Sequence, residues 1–354
     1  MSRHIQSIIV VLFLTTIGAF VPASAQTPLF SDSSELDVVI EGPLNTLVRN
    51  AVRNTDPHPA AFTVTSVGAP TRFDIELSAG GVSRRTGGIC LFPPLRLNFA
   101  GDAVRGTIMQ GQNKLKLVTR CRGGANYEQI TILEYTAYRL YNEITPLSFR
   151  VRPVRVTYRD TDGRRREDTQ FNFLIEDVDD LARRNGRRVE LDVVADAVRS
   201  SQLDAEVAAR YGLFQYMIGN LDWDMVSGHA GEDCCHNSKL LAASAEVRTA
   251  VVPVPFDFDY SGFVNAPYAI PPEGISVPNV RTRYYRGLCR HNDQVPAAAA
   301  HIRSRRAAIL AVIDGESRLS ERNRNSARAY IETFFAILDD PERFDRQIVQ
   351  RCRR

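Results

Sequence analysis

The chain reads as an α+β protein laid out on a two-lobe plan. Short alternating apolar and polar runs fill its N-terminal half, and one amphipathic helix interrupts them. After residue 176 the pattern turns predominantly helical. At 354 residues and 44% apolar content the chain is long and apolar enough to bury a substantial core, and it is not a disordered one. A net charge of +3 gives no argument for a nucleic acid or an anionic membrane as partner.

The elements follow in order. Arg3 and His4 precede an apolar stretch from Ile8 to Phe20, and Pro22-Ala23-Ser24-Ala25 supplies a small-x-small cleavage site before Gln26. This reads as a secretory signal and places the mature protein in the periplasm or outside the cell. An uncleaved anchor is the competing reading, but the stretch is short for a span and holds Thr15, Thr16 and Gly18. No other segment is expected to cross a membrane. Residues 26–60 read as a leader of mixed character. Strands are expected at Phe73–Leu77, Leu95–Phe99 and Lys114–Val118. A helix is predicted from about Asn126 to Asn142, with Tyr127, Ile130, Glu134, Ala137, Tyr138 and Tyr141 on one face. Phe149–Tyr158 and Gln170–Ile175 form a hairpin across a turn containing Asp162-Gly163.

Glu176-Asp177-Val178-Asp179-Asp180-Leu181 then reads as an acidic link into a helix. A further helix is predicted over Leu203–Ile218, buried through Leu203, Val207, Tyr211, Phe214 and Ile218 and stopped by Gly219-Asn220. Ala250-Val251-Val252 leads as a strand towards Asp257. The tail from Val295 to Gln350 is helical, with a break near Asp314-Gly315.

Six cysteines, an even count in an exported chain, suggest disulfides. The expected partner of Cys289 is Cys234 or Cys235. Zinc binding by His229, Cys234, Cys235 and His236 competes, but adjacent cysteines lack the usual chelating spacing. The basic residues are 41 arginines against three lysines, Lys114, Lys116 and Lys239. Arginine cannot reproduce the compact ammonium at a tight phosphate site, so the surviving lysines draw interest.

Two stretches carry candidate chemistry. Ile218-Gly219-Asn220-Leu221-Asp222-Trp223 is followed by Cys235-His236-Asn237-Ser238-Lys239, and the second is Val254-Pro255-Phe256-Asp257-Phe258-Asp259-Tyr260-Ser261-Gly262. A carboxylate on a loop after a helix suits a general base, so Asp222 is the candidate and Asp224 its alternative. Asn237 and Asp257 offer the oxygen ligands that Mg2+ takes, and Asp259 shares a strand face with Asp257. Calcium binding or a plain polar turn is the competing reading. Lys114 or Lys116 suits the phosphates of ATP, with Glu134 or Glu128 as ion-pair partner. The Gly87-Gly88 and Gly123-Gly124 pairs could approach phosphates, but isolated glycine pairs are more often turns. No histidine spacing demands a triad, and neither a nucleophile elbow nor a His-Glu-x-x-His helix is present.

In this order of elements the chain resembles the CotH (spore coat protein H) branch of atypical kinases. Phe149–Leu181 is similar to that family's hairpin and acidic link, and Val254–Gly262 to its Pro-Trp-Asp-x-Asp signature, with Phe256 in place of Trp. Asn220-x-Asp222 also resembles the catalytic loop of HipA-type kinases. The resemblance covers roughly residues 85–292. It implies a bilobal protein-kinase-like fold, Mg-ATP, and phosphate transfer to a protein or other hydroxyl acceptor. The resemblance gives the base role to Asp222, metal roles to Asn237 and Asp257, and the lysine's role to Lys114 or Lys116; beside it, Asp259 is expected as a further metal ligand and Glu134 and Glu176 as cofactor-binding residues. The segment 228–235 makes the gap between Asp222 and Asn237 longer than is usual in these families. The divisions expected are a signal peptide (1–25), a leader (26–60), a β-rich N-lobe (61–176) and a helical C-lobe (177–354). Because an exported kinase has little ATP in the periplasm, the alternative is a non-catalytic nucleotide-binding or calcium-binding envelope protein.

Overall fold

The structure, a computed structural model, describes residues 27–85, 88–187, 189–190, 198–228, 234–244 and 246–354. The signal-like segment, Gly87 and His229 lie outside the described residues. Seven strands run through the first half: β1 (Leu36–Gly42), β2 (His58–Val64), β3 (Thr71–Ala79), β4 (Leu95–Phe99), β5 (Lys114–Val118), β6 (Val151–Asp160) and β7 (Asp168–Ile175). A short helix, α1 (Leu44–Asn50), follows β1, and the long helix α2 (Ala125–Ile144) separates β5 from β6.

These strands do not form a kinase-type N-lobe, and the bilobal plan expected from the sequence is overturned. They close into a barrel in the order β1-β2-β3-β4-β5-β7-β6. The closing seam is parallel, with Leu36 opposite Val154 and Ile40 opposite Tyr158. Closure removes the sheet edges that an open sheet would leave unpaired. Closure needs both seam strands, and β1 lies within the stretch 26–60 that reads locally as a leader. That stretch supplies β1, α1 and the first residues of β2.

Alternation sets the two faces. Val38, Ile40, Phe62, Phe73, Leu97, Leu117, Val156 and Leu174 fill one core together. On β7 the neighbours of Leu174, Phe173 and Ile175, belong to a second core formed with α2 and the C-terminal helices. Tyr135 of α2 meets Phe171 and Phe173 edge-on or tilted, with centroids 5.9 and 5.8 Å apart.

Beyond β7 come α3 (Val178–Arg184), β8 (Val189–Glu190), α4 (Ala205–Ile218), β9 (Ser238–Ala242) and β10 (Val252–Pro255). The last three strands pair as a small sheet in the order β10-β9-β8. Four helices complete the chain: α5 (Val295–Ser304), α6 (Arg306–Asp314), α7 (Glu321–Leu338) and α8 (Pro341–Gln347).

The disulfides are Cys90–Cys121, Cys234–Cys235 and Cys289–Cys352, so the expected pairing of Cys289 with Cys234 or Cys235 is wrong. The C-terminus returns to the segment before Cys289. Cys289 N donates to Arg353 O at 2.8 Å and Arg353 N to Gly287 O at 2.8 Å, which brings Cys352 alongside. Among the described residues no helix is long and apolar enough to cross a membrane.

Candidate functional site

The loop that carries Asp222 is fixed from both sides. Asp204 caps α4 by accepting from Val207 N, and Gly219 ends it in the left-handed conformation at φ 63°. A Cβ on Gly219 would lie 2.0 Å from the Tyr330 hydroxyl, so glycine is required there on two counts. The buried Asn220 accepts from Asp222 N at 3.0 Å, and Trp223 Nε1 donates to Asn220 O at 2.9 Å. The long gap to Asn237 closes because the chain returns against this loop. Asp224 N donates to His236 O at 2.8 Å, and His236 N donates to Ser227 O at 3.0 Å.

The β9–β10 ribbon then sets the second half of the site. Ser238 lies opposite Pro255 and Lys239 opposite Val254. Asn237 enters this ribbon and Asp257 leaves it, so they stand at the same end. Both adopt left-handed backbone, with φ of 50° and 62°, a conformation that Asn and Asp tolerate better than most residues. Tyr138 of α2 accepts from Asp257 N at 2.8 Å and holds that turn.

Asp222, Asn237, Asp257, Asp259, Lys116 and Glu176 line one cavity of about 700 Å³. Asn237 Nδ2 donates to Asp222 O at 2.7 Å and to Asp222 Oδ2 at 3.1 Å, and His236 Nε2 lies 2.8 Å from Asp222 Oδ1. Lys116 Nζ stands 3.7 Å from Asp257 Oδ2. Lys116 and Lys239 both lie over the Phe256 ring, at 5.5 and 5.8 Å from its centroid.

Four expected placements change. Glu134 is buried on α2, but its carboxylate is taken by Arg84 and not by a lysine. Lys114 is exposed on β5 and does not line the cavity. Glu176 lines the cavity, yet its oxygens accept from Arg150 N and from Arg184, so it anchors the barrel's end to α3. Asp224 is committed to Arg353 and to the amides of Val226 and Ser227, which removes it as an alternative base.

Charge is concentrated beneath the cavity. The buried Arg84 bridges Glu134 and Asp259, donating to Asp259 Oδ2 at 2.8 Å, and Tyr268 donates to the same oxygen at 3.1 Å. Burial pushes Glu134 up to about 7, against the pull of Arg84 and with help from Asp259 and Asp257. Burial also raises Asp259, which Arg84 opposes and Asp257 reinforces. Burial acts on Asp257 in the same sense, but Lys116 first, then Arg84 and His236, outweigh it and hold its carboxyl below the usual range.

Glu134, Asp257 and Asp259 each offer an oxygen, and these atoms lie within 4.8 Å of one another. Glu134 Oε1 is buried without a hydrogen-bond partner, an orphan that a cation would satisfy. An all-oxygen donor set suits a hard divalent ion such as Mg2+ or Ca2+. Asn237 spends its Nδ2 on Asp222, which leaves Oδ1 as its donor oxygen.

Arg84 and Tyr268 were not found from sequence, which weighed His236 only as a zinc ligand and placed Tyr138 only on a helix face. His236 had a signal, since it adjoins Asn237; Arg84 is one arginine among 41 and had none. The Gly80–Ser83 segment also lines the cavity, whereas Gly123 and Gly124 do not. Cys235 lies on its rim, joined to Cys234. No family model and no curated protein matches the chain.

Proposed function

We propose that the protein is an exported phosphotransferase that moves the γ-phosphate of Mg-ATP to a hydroxyl of a protein or other acceptor. One arrangement carries this reading: the carboxylates of Asp222 and Asp257 face the same cavity as Lys116. The resemblance of Asn220-x-Asp222 and Pro255-Phe256-Asp257-Phe258-Asp259 to kinase motifs adds to it. The three disulfides support an oxidising compartment, the periplasm or the exterior.

In the proposed reaction the acceptor oxygen attacks the γ-phosphorus, its bond to the β-phosphate oxygen breaks, and ADP leaves. Asp222 receives the acceptor's proton. His236 and Asn237 hold that carboxylate in one orientation, so little is lost in aligning it. Lys116 offers an ammonium to the phosphates, kept in place by Asp257 and the Phe256 ring. Asp257, with Asp259 or Glu134 and the Asn237 oxygen, would hold the Mg2+, whose charge offsets that of the phosphates.

The test is intact-mass analysis after incubation with ATP and Mg2+, alongside calorimetry of nucleotide binding. Added phosphate on protein or acceptor, and loss of Mg-dependent binding in Asp257→Ala, are expected. Added adenylate, unchanged binding in that variant, or melting that responds to Ca2+ but to no nucleotide would overturn the proposal.

A further inference from the structure

We infer that the arginine-rich face at the β6–β7 turn is a docking surface for an anionic phospholipid membrane. Arg49 and Arg53 lie at the end of α1 and just beyond it, and Arg164 and Arg166 lie in the turn beside it. All four are exposed, and none makes an ion pair or a side-chain hydrogen bond among the described residues. Elsewhere the arginines are commonly paired, as Arg84, Arg155, Arg184, Arg318 and Arg353 are.

Of the acids beside this face, Glu167 pairs with Arg159 and Asp168 with Arg120, while Asp160 and Asp162 are spent on the backbone. Asp160 accepts from the amides of Asn45, Arg164 and Arg165, and Asp162 accepts from Thr46 N. They hold the turn against α1 and pair with no guanidinium, and against their two charges Arg49, Arg53, Arg164, Arg165 and Arg166 leave the face with a net positive charge. Two hollows of about 810 and 400 Å³ meet there at Asn45 and Arg164.

Several observations favour a lipid surface over a nucleic acid. Val52, 58% exposed, lines the same hollow as Arg49, Arg53 and Arg164 and suits contact below the headgroups. A single strand would need exposed rings to stack on, but Phe92 is buried beneath Arg165, and Tyr158 is buried as well. Orientation fits too. β6 runs ten residues from beside the cavity-lining Phe149 to this turn, about 30 Å. A membrane docked at the turn would leave the cavity mouth open.

This inference does not rest on the phosphotransfer reading. The test is sedimentation of the full chain with vesicles of phosphatidylcholine containing about one third phosphatidylglycerol, and with phosphatidylcholine alone. Binding is expected only to the anionic vesicles, and at least about tenfold weaker as salt rises from about 0.05 M to about 0.5 M. Arg49→Gln/Arg53→Gln/Arg164→Gln/Arg166→Gln should weaken it roughly a hundredfold, at about fivefold per charge with partial additivity. These side chains are exposed, and the salt series on the unmodified protein needs no variant to fold. Binding that ignores salt, that the variant retains in full or that neutral vesicles share would overturn the inference. Absence of vesicle binding, or retention by a DNA oligonucleotide instead, would do the same.

Discussion

His236 Nε2 stands 2.8 Å from Asp222 Oδ1, although fourteen positions separate the two residues in the chain. Asn237 Nδ2 holds the other carboxylate oxygen at 3.1 Å. The carboxylate proposed as base is therefore oriented by two neighbours from the turn that leads into β9, and it does not swing free on its loop.

Asp222→Asn should lower kcat by about 10²- to 10⁴-fold with nucleotide binding retained, because it removes the proton acceptor alone. His236→Gln should lower kcat by about ten- to a hundredfold, the scale of losing one charge-assisted hydrogen bond. Steady-state kinetics decides: a rise in KM with kcat unchanged in either variant would mean a binding role and would exclude the base assignment.

Arg84→Met should destabilise the fold by about 3–5 kcal/mol, since it strands Glu134 and Asp259 as neighbouring buried acids. Arg84→Met/Asp259→Asn should recover part of the loss by neutralising one of them. Urea denaturation of the three proteins measures this. A loss below about 1 kcal/mol in the single variant would show that Arg84 does not hold the acids together.

Stability should fall as pH rises towards neutrality. Glu134 is raised from its ordinary 4.5 to about 7, so between those values the folded chain binds more protons than the unfolded one. Its contribution is complete below about 4.5 and is lost as pH rises through about 7, up to about 3 kcal/mol. Asp259, also raised, acts in the same direction. Asp257, held below its usual range, acts oppositely and only at more acid pH. Urea midpoints at pH values on either side of this window should show the fall, and Glu134→Gln should flatten it. Mg2+ should offset the loss above neutrality by binding the deprotonated acids. A native profile as flat as that of Glu134→Gln would refute the assignment.

Peptide mapping without reduction should find Cys289 joined to Cys352. That bond spans 63 positions, and Cys352→Ala should cost about 4 kcal/mol through the freedom it restores to the unfolded chain. A fragment linking Cys289 to Cys234 or Cys235 would contradict the structure.

Local pattern made several elements legible. Alternation located β4 and β5, the three-to-four repeat located α2 and α4, and Gly219 marked where α4 stops. The residue types at Asp222, Asn237 and Asp257 also carried their own chemistry, because a loop acid and an amide near a paired acid are legible without coordinates. The barrel was not legible. Its closure depends on β1 meeting β6 in parallel across more than a hundred residues, and a period of two says which face a strand buries but not which strand lies beside it. Partner choice escaped the sequence for the same reason. Lys114 or Lys116 was expected to pair with Glu134 or Glu128, yet Arg84 reaches Glu134 from the segment after β3, and Lys116 turns to Asp257. Spacing along the chain determines faces and caps, because those are local. Which charges meet in the interior is decided only when distant segments pack and desolvation forces each buried charge to take the nearest counter-charge.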